Sequence, residues 1–525
     1  MVLQKEPAGA VVWGYGEPGA TVTVALSGDS GLIVMKKTVR VKGPSGTWTT
    51  VLDPMDQGGP STLMAGQGSE NVTLRDIYFG DVWLCSGQSN MAMTVLQIAN
   101  ASQELTDAAR YPYVRVFAAA PARSDVELED LERIDLPWSI PTAENLGHGN
   151  FTYFSAVCWL LGRYLYEALR YPIGLVEAAW GGTPIEAWSS HRVLQACGLP
   201  EDAGSISPWQ HLSGPQTPSV LWNAMIHPLL NMTLRGVAWY QGEANAFLHT
   251  DQYNCTFPAL IGDWRQAFHA GSAGQTEPLL PFGFVQVSTG TRGRTPTLPA
   301  GTASRCSGRL YPSFRTPGWE GEGTVMELWD TKPTSLLFLG SIHPRDKQTV
   351  AHRLQLGARA VAYGEKDLVF QGPYPTHAIL EVTRGLLNVT YSQELICRQR
   401  DRRAFEVRRG EKLPPGAGRG KPTLMEVSPP PRGNPGALRN SLREGAASPP
   451  WLALAGCGTL ALGLRYAWAE WPCEYQSCVL YNTQGLPAPP FLLEALPAGE
   501  TPGPSETALG RELLLLPGSR FSRGI

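Results

Sequence analysis

The sequence has little charge and no uninterrupted apolar run long enough to cross a membrane. Of its 525 residues, 17% are charged, and the formal net charge is −3. Surfaces that bind nucleic acid or anionic membranes usually concentrate positive charge, so neither partner is expected. The uncharged stretch 446–464 is interrupted by Pro449, Pro450 and several glycines, so no membrane-spanning helix is predicted.

Patterns typical of zinc sites are also absent. The nine cysteines include no Cys-x-x-Cys pair, and no two of the nine histidines stand four residues apart. Structural zinc sites usually draw on such pairs, so no metal site is predicted. Glycine and proline are abundant, with 57 and 44 residues, and together with 16 tryptophans they favour loops and β structure over helical bundles.

Six Asn-x-Ser/Thr sequons accompany the nine cysteines, and this combination favours a glycoprotein of the secretory pathway. The sequons begin at Asn71, Asn100, Asn150, Asn231, Asn254 and Asn388. Residues 1–6 are not followed by the apolar core that a signal peptide needs. Either a signal peptide lies upstream of residue 1 or the protein is cytosolic, and of the two we expect a lysosomal or secreted protein with an upstream signal peptide.

The first two-thirds of the chain divides into two predicted domains. Residues 1–75 contain short strand-like runs separated by turns, which predicts a small N-terminal β sandwich. Residues 76–365 alternate apolar strands with helical segments, such as a helix over 154–168, and this is typical of a parallel sheet covered on both faces. Within that domain, residues 289–339 mix Gly, Pro, Arg, Ser and Thr without a clear period.

The last third reads as β structure interrupted by a biased segment. Residues 366–397 and 460–495 together predict a C-terminal β domain. Residues 398–459 are rich in Arg, Gly and Pro and cannot bury enough apolar surface to fold alone, so they are interpreted as a low-complexity insert. Residues 496–525 read as a loop-like tail.

A Gly-Gln-Ser-Asn turn follows the apolar run Val82–Cys85, which predicts a buried strand. Gly87 permits a tight turn, and residues 90–98 predict a helix. Ser89 therefore lies where a strand ends and a helix begins, so its hydroxyl can leave the sheet near free backbone N–H groups. Met91 replaces the last glycine of a Gly-x-Ser-x-Gly elbow, which disfavours an ordinary α/β-hydrolase. Ser89 is either a helix N-cap or a nucleophile.

Two further segments carry candidate site residues. The predicted strand Ile173–Ala178 is followed by Gly181 and Gly182, whose backbone N–H groups either approach a ligand or form a plain turn. His343 precedes a predicted helix over 349–363. It is either a packed histidine beside the helix cap or a catalytic base.

The predicted strand Gly236–Tyr240 ends in three polar side chains, those of Gln241, Glu243 and Asn245. One of them could donate a hydrogen bond to an oxyanion. A plain loop remains the alternative for Glu243 and Asn245.

Four blocks stand in order along the chain, and together they carry a family resemblance. They are Gly80–Met91, Trp180–Trp188, Trp239–Glu243, and Gly340–Pro344 with Lys347. In these blocks and in its opening and closing segments, the chain resembles the sialate O-acetylesterase family of SGNH-type carbohydrate esterases. The resemblance covers roughly 1–288, 340–397 and 460–493. Residues 289–339 and 398–459 do not resemble the family and are typical of misjoined sequence.

The resemblance implies an α/β fold, an α/β/α SGNH domain with a parallel sheet and flanking sandwich-like β domains. It implies hydrolysis of O-acetyl esters of sialic acids, notably the 9-O-acetyl form of N-acetylneuraminate, with no metal or organic cofactor. The expected partners are O-acetylated sialic acids and sialoglycans. Two alternatives stay open, a non-catalytic glycan-binding protein with a degenerate esterase domain and an acetylxylan-type esterase acting on another sugar.

The resemblance also assigns roles to residues. Ser89 would attack the acetyl carbonyl, and His343 would take its proton and later activate water. The backbone N–H groups of Ser89 and Gly181 and the side-chain amide of Gln241 would hold the oxyanion. Candidates for contact with the substrate are Gln88, Asn90, Glu243 and Asn245.

The acid of a catalytic triad is the least certain assignment. SGNH enzymes commonly place an aspartate three residues before the histidine, where this sequence has Gly340. The nearest upstream acid is Asp330, and Asp346 follows three residues after His343. We therefore expect a dyad with Ser89, in which a main-chain carbonyl near Gly340 orients the imidazole, with Asp330 as a weak alternative.

Overall fold

A computed structural model of the chain forms two compact units. The residues it describes are 1–199, 213–246, 248–249, 251–286, 324–327, 343–381, 386–397, 405–409, 424–426, 451–453, 461–466, 478, 480–489, 491–495 and 511–515. Unit 1 comprises 1–287, 319–326 and 334–368, and unit 2 comprises 288–318, 327–333 and 369–525.

Unit 1, together with the edge strand β13 of its sheet, has mixed α/β structure. The strands are β1 (Val2–Gln4), β2 (Val11–Tyr15), β3 (Thr21–Ser27), β4 (Ile33–Arg40), β5 (Thr47–Val51), β6 (Gly58–Gln67), β7 (Glu70–Gly87), β8 (Val114–Ala119), β9 (Ile134–Ser139), β10 (Ile173–Ala179), β11 (Gly236–Tyr240), β12 (Phe282–Gln286) and β13 (Thr324–Glu327). The α-helices are α1 (Ser89–Ala92), α2 (Ala101–Asp107), α3 (Ala143–Leu146), α4 (Ala156–Leu169), α5 (His191–Ala196), α6 (Tyr253–Gly271) and α7 (Lys347–Val361). Single turns of 3-10 helix lie at Val95–Gln97, Ala108–Arg110, Ile185–Trp188, His227–Leu229 and Ala244–Ala246, and a π-helical turn lies at Trp222–Ile226.

The strand β7 is the centre of this unit. Its first part pairs antiparallel with β6, and residues 81–87 pair in parallel with β10 on one side and β11 on the other. The main sheet has the order β13-β12-β11-β7-β10-β8-β9, in which β9 is antiparallel to β8. Because β10, β7 and β11 are parallel, their carboxyl ends meet at one edge of the sheet, where ligands of such sheets usually bind.

Helices cover both faces of this sheet. The Phe257 ring of α6 lies 6.3 Å from the Phe282 ring on β12. A Cβ added to the next residue, Gly283, would lie 3.5 Å from the Leu354 side chain of α7. Because successive residues of a strand point to opposite faces, α6 and α7 cover opposite faces. Helix α4 packs against α7. The predicted mixed α/β fold is therefore confirmed.

The N-terminal segment forms two small layers, and the three strands predicted there are present. β2 pairs with β5, while β3 pairs with β4 and β6, and β6 pairs in turn with β7. One buried cluster contains residues of both layers, including Val12 and Trp48 from the first and Val24 and Leu63 from the second. Since β7 also belongs to the main sheet, this segment and the main sheet share a strand.

Unit 2 is a β structure. Its strands are β14 (Pro375–Glu381), β15 (Leu386–Tyr391), β16 (Ile396–Cys397), β17 (Phe405–Arg409), β18 (Leu424–Glu426), β19 (Trp451–Ala453), β20 (Ala461–Tyr466), β21 (Leu480–Tyr481), β22 (Phe491–Ala495) and β23 (Arg511–Leu515). Eight of them form an antiparallel sheet in the order β18-β17-β20-β22-β23-β14-β15-β19, and β16 pairs with β21.

Two expectations about unit 2 are corrected. The strands β17, β18 and β19 lie in the predicted low-complexity insert 398–459, and β23 lies in the predicted loop-like tail 496–525. Each of these strands pairs with another strand of the sheet, for example β17 with β20 and β23 with β14. Pairing between distant strands therefore overrides a composition that is unfavourable when the segment is considered alone. None of the described helices is both long and apolar enough to cross a membrane.

Candidate active site

Ser89 lies at the junction between the central strand and the first helix, as predicted. β7 ends at Gly87, which has a φ of +141° and a Cα so close to Tyr240 that an added Cβ would lie 2.1 Å from its carbonyl oxygen. Only glycine fits this position without strain. The Gln88 N–H then donates to the Tyr240 carbonyl at 2.9 Å, and α1 begins at Ser89, whose side chain is partly exposed.

The predicted helix over 90–98 is interrupted. α1 ends at Ala92, and a separate 3-10 turn covers Val95–Gln97. Thr94 caps this turn reciprocally with Gln97, because the Thr94 side chain accepts from the Gln97 N–H while the Gln97 amide oxygen accepts from the Thr94 N–H. Such a cap starts a new helical turn and ends the previous one.

The structure brings Ser89 and His343 together across 254 positions of sequence, with 2.8 Å between the Ser89 Oγ and the His343 Nε2. The serine hydroxyl donates to this nitrogen when the imidazole proton is on Nδ1. The His343 ring also lies 5.4 Å from the ring of Phe151. A hydroxyl hydrogen-bonded to an imidazole is the arrangement of a nucleophile and its general base.

The loop that carries His343 is tied to the loop after α1. The Arg345 guanidinium donates to the carbonyl oxygens of Gln97 and Ile98, at 3.0 Å in each case. The Gln97 amide oxygen also accepts from the Phe151 N–H at 2.9 Å. These bonds hold the segment beside the catalytic pair in place.

The backbones of Ser89 and Gly181, whose N–H groups are the predicted oxyanion donors, lie side by side. A Cβ added to Gly181 would lie 3.3 Å from the Ser89 Cβ, so the two backbones are in close contact. The Trp180 N–H donates to the Gly87 carbonyl at 3.0 Å and holds the two loops together. Within the described part of the chain, neither the Ser89 nor the Gly181 N–H has a protein acceptor.

The side-chain amide of Gln241 does not fit the predicted oxyanion role. Its two hydrogens are donated to the Thr183 carbonyl at 3.1 Å and to the Asn245 Oδ1 at 2.8 Å, and its oxygen accepts from the Tyr253 hydroxyl at 3.0 Å. A primary amide has two hydrogens, so none is left for a substrate. The expected oxyanion role of Gln241 is therefore corrected. Its side-chain amide instead links the loop at Thr183 to the loop at Asn245.

The predicted substrate-contact residues are almost completely buried, and their side chains form hydrogen bonds with other protein groups. The Gln88 amide oxygen accepts from the N–H groups of Gly242 and Ala244, at 3.3 and 3.2 Å. The Asn245 Oδ1 accepts from the Ile185 N–H at 2.9 Å. These side chains hold the loop after β11, which corrects the expectation that they face a ligand.

The other two candidates, Asn90 and Glu243, form a buried network with Lys347. The Lys347 ammonium donates to the Asn90 Oδ1 at 2.6 Å, and the Asn90 amide donates to a carboxylate oxygen of Glu243. Burial lowers the pKa of Lys347 to about 7 and raises the pKa of Glu243. Sequence reasoning gave Lys347 no role. The available signal was a lysine in the first turn of a helix, where the helix dipole disfavours a cation.

A second buried carboxylate, that of Glu186, was not predicted either. It accepts from the Asn245 amide at 2.9 Å and lies 2.9 Å from the His249 Nδ1. The hydrogen bond to this carboxylate raises the pKa of His249. No sequence pattern indicates the contact between Glu186 and His249, because the two residues are 63 positions apart.

Of the two candidate acids, Asp346 lies in the described part of the chain and Asp330 does not. Asp346 is the N-cap of α7, where its carboxylate accepts from the Thr349 N–H at 3.1 Å and from the Thr349 hydroxyl at 2.7 Å. Asp330 and Gly340 lie outside the described residues. In the described ranges, no group of three or more His, Cys, Asp or Glu side chains is arranged to hold a metal ion.

The sequons and cysteines take up defined positions. Four sequon asparagines are exposed, namely Asn71, Asn100, Asn150 and Asn254, whereas Asn231 is half-buried and Asn388 lies in β15. Disulfide bonds, whose pairing the sequence left open, join Cys85 to Cys158 and Cys197 to Cys255.

Two family models match parts of the chain. Residues 79–298 match the family described as carbohydrate esterase, sialic acid-specific acetylesterase, and residues 448–495 match the sialate O-acetylesterase C-terminal domain. The second match begins inside 398–459, and the first extends to 298, so both overlap segments that were judged unlike the family.

Related proteins match most of the chain. The sialate O-acetylesterase of Homo sapiens is 51% identical over 515 residues, covering 94% of this chain and 90% of its own, and that of Mus musculus is 48% identical with 94% and 92% covered. A crystal structure of a carbohydrate acetylesterase from Xanthomonas citri has the same fold, with a TM-score of 0.67, 24% identity, and 94% and 96% of the two chains covered. The chain therefore belongs to the sialate O-acetylesterase family.

Proposed function

We propose that this protein is a serine esterase that hydrolyses O-acetyl esters of sialic acids, notably 9-O-acetyl-N-acetylneuraminate, to the free sugar and acetate. The observation that carries the proposal is the 2.8 Å contact between the Ser89 hydroxyl and His343 at the carboxyl edge of the sheet. The 51% identity to a sialate O-acetylesterase supports the substrate class. O-acetylated sialic acids and sialoglycans are the proposed partners.

The reaction proceeds in two steps. Ser89 attacks the acetyl carbonyl while His343 takes its proton, and the imidazolium then protonates the departing sugar oxygen, which leaves as a hydroxyl. Water, deprotonated by His343, releases acetate from the acetyl-serine. The Ser89 and Gly181 N–H groups receive the oxyanion in both steps, and the loss of one such donor typically raises the barrier by about 3–4 kcal/mol.

The orientation of His343 is assigned to a main-chain carbonyl near Gly340, which makes the catalytic unit a dyad, with Asp330 as the alternative. Asp346 is a control because it caps α7 and asparagine caps helices equally well. We expect Asp330→Asn and Asp346→Asn each to change kcat only slightly. A fall of about 10⁴-fold in either variant, the size expected when a triad aspartate is lost, would identify the missing acid and refute the dyad.

The domain assignment and the compartment are part of the proposal. Residues 76–365 form the SGNH domain, 1–75 an N-terminal β domain, and the strands β14 to β23 a C-terminal β domain. The helices on both faces of the parallel sheet support the first of these assignments. Exposed sequons and the disulfides Cys85–Cys158 and Cys197–Cys255 support a lysosomal or secreted glycoprotein.

Acetate release from a 9-O-acetyl sialoside tests the function. Ser89→Ala is expected to abolish release, whereas Ser86→Ala is the matched control because the Ser86 hydroxyl is buried without a partner among the described residues. A parallel assay with acetylated xylan separates this activity from that of an esterase for another sugar. Sialoside binding without turnover by the wild type would instead indicate a glycan-binding protein, and turnover by Ser89→Ala would refute the nucleophile.

A further inference from the structure

We propose that Asn90 is a positioning residue whose amide, held between Glu243 and Lys347, fixes Ser89 relative to His343. This inference rests on the proposed roles of Ser89 and His343. It concerns how the chain keeps the two reacting groups 2.8 Å apart although 254 residues separate them.

The network joins the three segments that build the site. Asn90 follows Ser89 in α1, Lys347 begins α7 four residues after His343, and Glu243 lies in the loop that follows β11. A bond from Lys347 to Asn90 therefore connects the segment of the base to the segment of the nucleophile. The bond from Asn90 to Glu243 connects the nucleophile to the next strand of the sheet.

The chemistry of the two neighbours fixes the orientation of the Asn90 amide. An ammonium group can only donate hydrogen bonds, and an ionised carboxylate can only accept them. The amide must therefore turn its oxygen toward Lys347 and its nitrogen toward Glu243, as the structure shows. Asn90, Glu243 and Lys347 are only 1%, 3% and 0% exposed, so all three members of the network are shielded from bulk water.

The charges of the network compensate one another. The Lys347 ammonium also lies 4.8 Å from the centre of the Tyr240 ring, a favourable cation–π contact. The second carboxylate oxygen of Glu243 has no hydrogen-bond partner among the described residues, so this carboxylate is stabilised by Asn90, by its own backbone N–H and by the nearby Lys347 cation. Removing one charge leaves the other buried and unpaired, which is more damaging than removing both.

The first test compares Asn90→Ala with Asn223→Ala. Asn223 is also buried, at 2% exposure, but its amide donates to the Ser124 carbonyl outside the network. For Asn90→Ala we expect kcat to fall about 10²-fold, the effect of a misplacement of about 1 Å, with KM nearly unchanged. For Asn223→Ala we expect kcat to be retained, with a similar loss in Tm. Equal kcat values for the two variants would overturn the inference.

A second test does not depend on the folding of Asn90→Ala. Glu243→Gln and Lys347→Met each remove one charge, and the double variant removes both. We expect each single variant to lower kcat more than the double variant does, at similar KM. A double variant that is no more active than the worse single variant would overturn the inference. Activity in Ser89→Ala, assayed alongside, would show that the proposed function has failed, independently of this network.

Discussion

Glu177 is a carboxyl residue on β10, only 6% exposed, that accepts a hydrogen bond from the Ser155 N–H. Among the described residues, no cation forms an ion pair with it. Burial raises its pKa to about 8, so it is mostly protonated at neutral pH in the folded chain. In the unfolded chain a glutamate loses its proton above pH about 4.3.

This difference predicts how stability depends on pH. Between pH about 4.3 and 8 the folded state binds more protons than the unfolded state, so the stability that Glu177 contributes below this range is lost as pH rises. Glu177→Gln keeps an acceptor for Ser155 but does not titrate. We expect the stability of Glu177→Gln relative to the wild type to rise by about 3 kcal/mol between pH 5 and pH 8. A difference that is constant in urea denaturation at both pH values would contradict the assignment.

At the residue scale, the sequence was sufficient to single out the two residues whose side chains lie 2.8 Å apart in the structure. Ser89 stood out because a buried strand, a glycine and a helix start surround it, and His343 because a family block contains it. The role of Gln241 could not be predicted in this way. Its amide hydrogens are taken up by Thr183 and Asn245, and sequence spacing does not show which acceptors a loop brings within reach.

At the scale of helices and strands, periodic segments were predicted well. β10, β11, α4 and α7 lie within two residues of their predicted bounds, because each shows a clear apolar period. β7 was predicted only over Val82–Cys85, since its residues 70–76 are exposed and form no apolar run. The short strands β17, β18, β19 and β23 of unit 2 were not predicted, because they depend on pairing with distant strands rather than on local composition.

The disulfide Cys85–Cys158 joins the strand before the nucleophile to helix α4, and both of its sulfurs are buried. Removal of a disulfide that closes a long loop usually costs about 2–5 kcal/mol of folding stability. We expect the double variant Cys85→Ala/Cys158→Ala to lose stability in this range in denaturant titration. The second disulfide, Cys197–Cys255, joins the end of α5 to α6. The stability of a variant that lacks this second disulfide is measured for comparison. Unchanged stability of the Cys85/Cys158 variant under oxidising conditions would contradict the pairing.

At the scale of the whole molecule, the exposed sequons predict glycosylation during secretion. Asn71, Asn100, Asn150 and Asn254 are exposed, and Asn231 is half-buried. For the chain expressed in animal cells behind a signal sequence, we expect glycosidase treatment to increase electrophoretic mobility. Replacing the four exposed asparagines by glutamine should remove most of this shift, whereas Asn231→Gln should change it little. A chain whose mobility does not change on glycosidase treatment would argue against the secretory assignment.

The fold as a whole serves to bring one serine and one histidine together from distant parts of the chain. The order of the sheet places β7 between β10 and β11, so the loops after these three strands surround Ser89, and α7 follows the segment that supplies His343. A proton acceptor at this position is needed to activate both the serine and the hydrolytic water. Without the imidazole, any acetyl-serine that forms should be released slowly.

The most direct test is therefore mass spectrometry of peptides from the wild-type protein, quenched in acid during turnover of a 9-O-acetyl sialoside. The account predicts an acetyl group on the wild-type peptide that contains Ser89, and no acetyl group on the matching peptide of Ser89→Ala/His343→Ala. An acetyl group that accumulates on another residue, or steady acetate release by the doubly substituted protein, would contradict it.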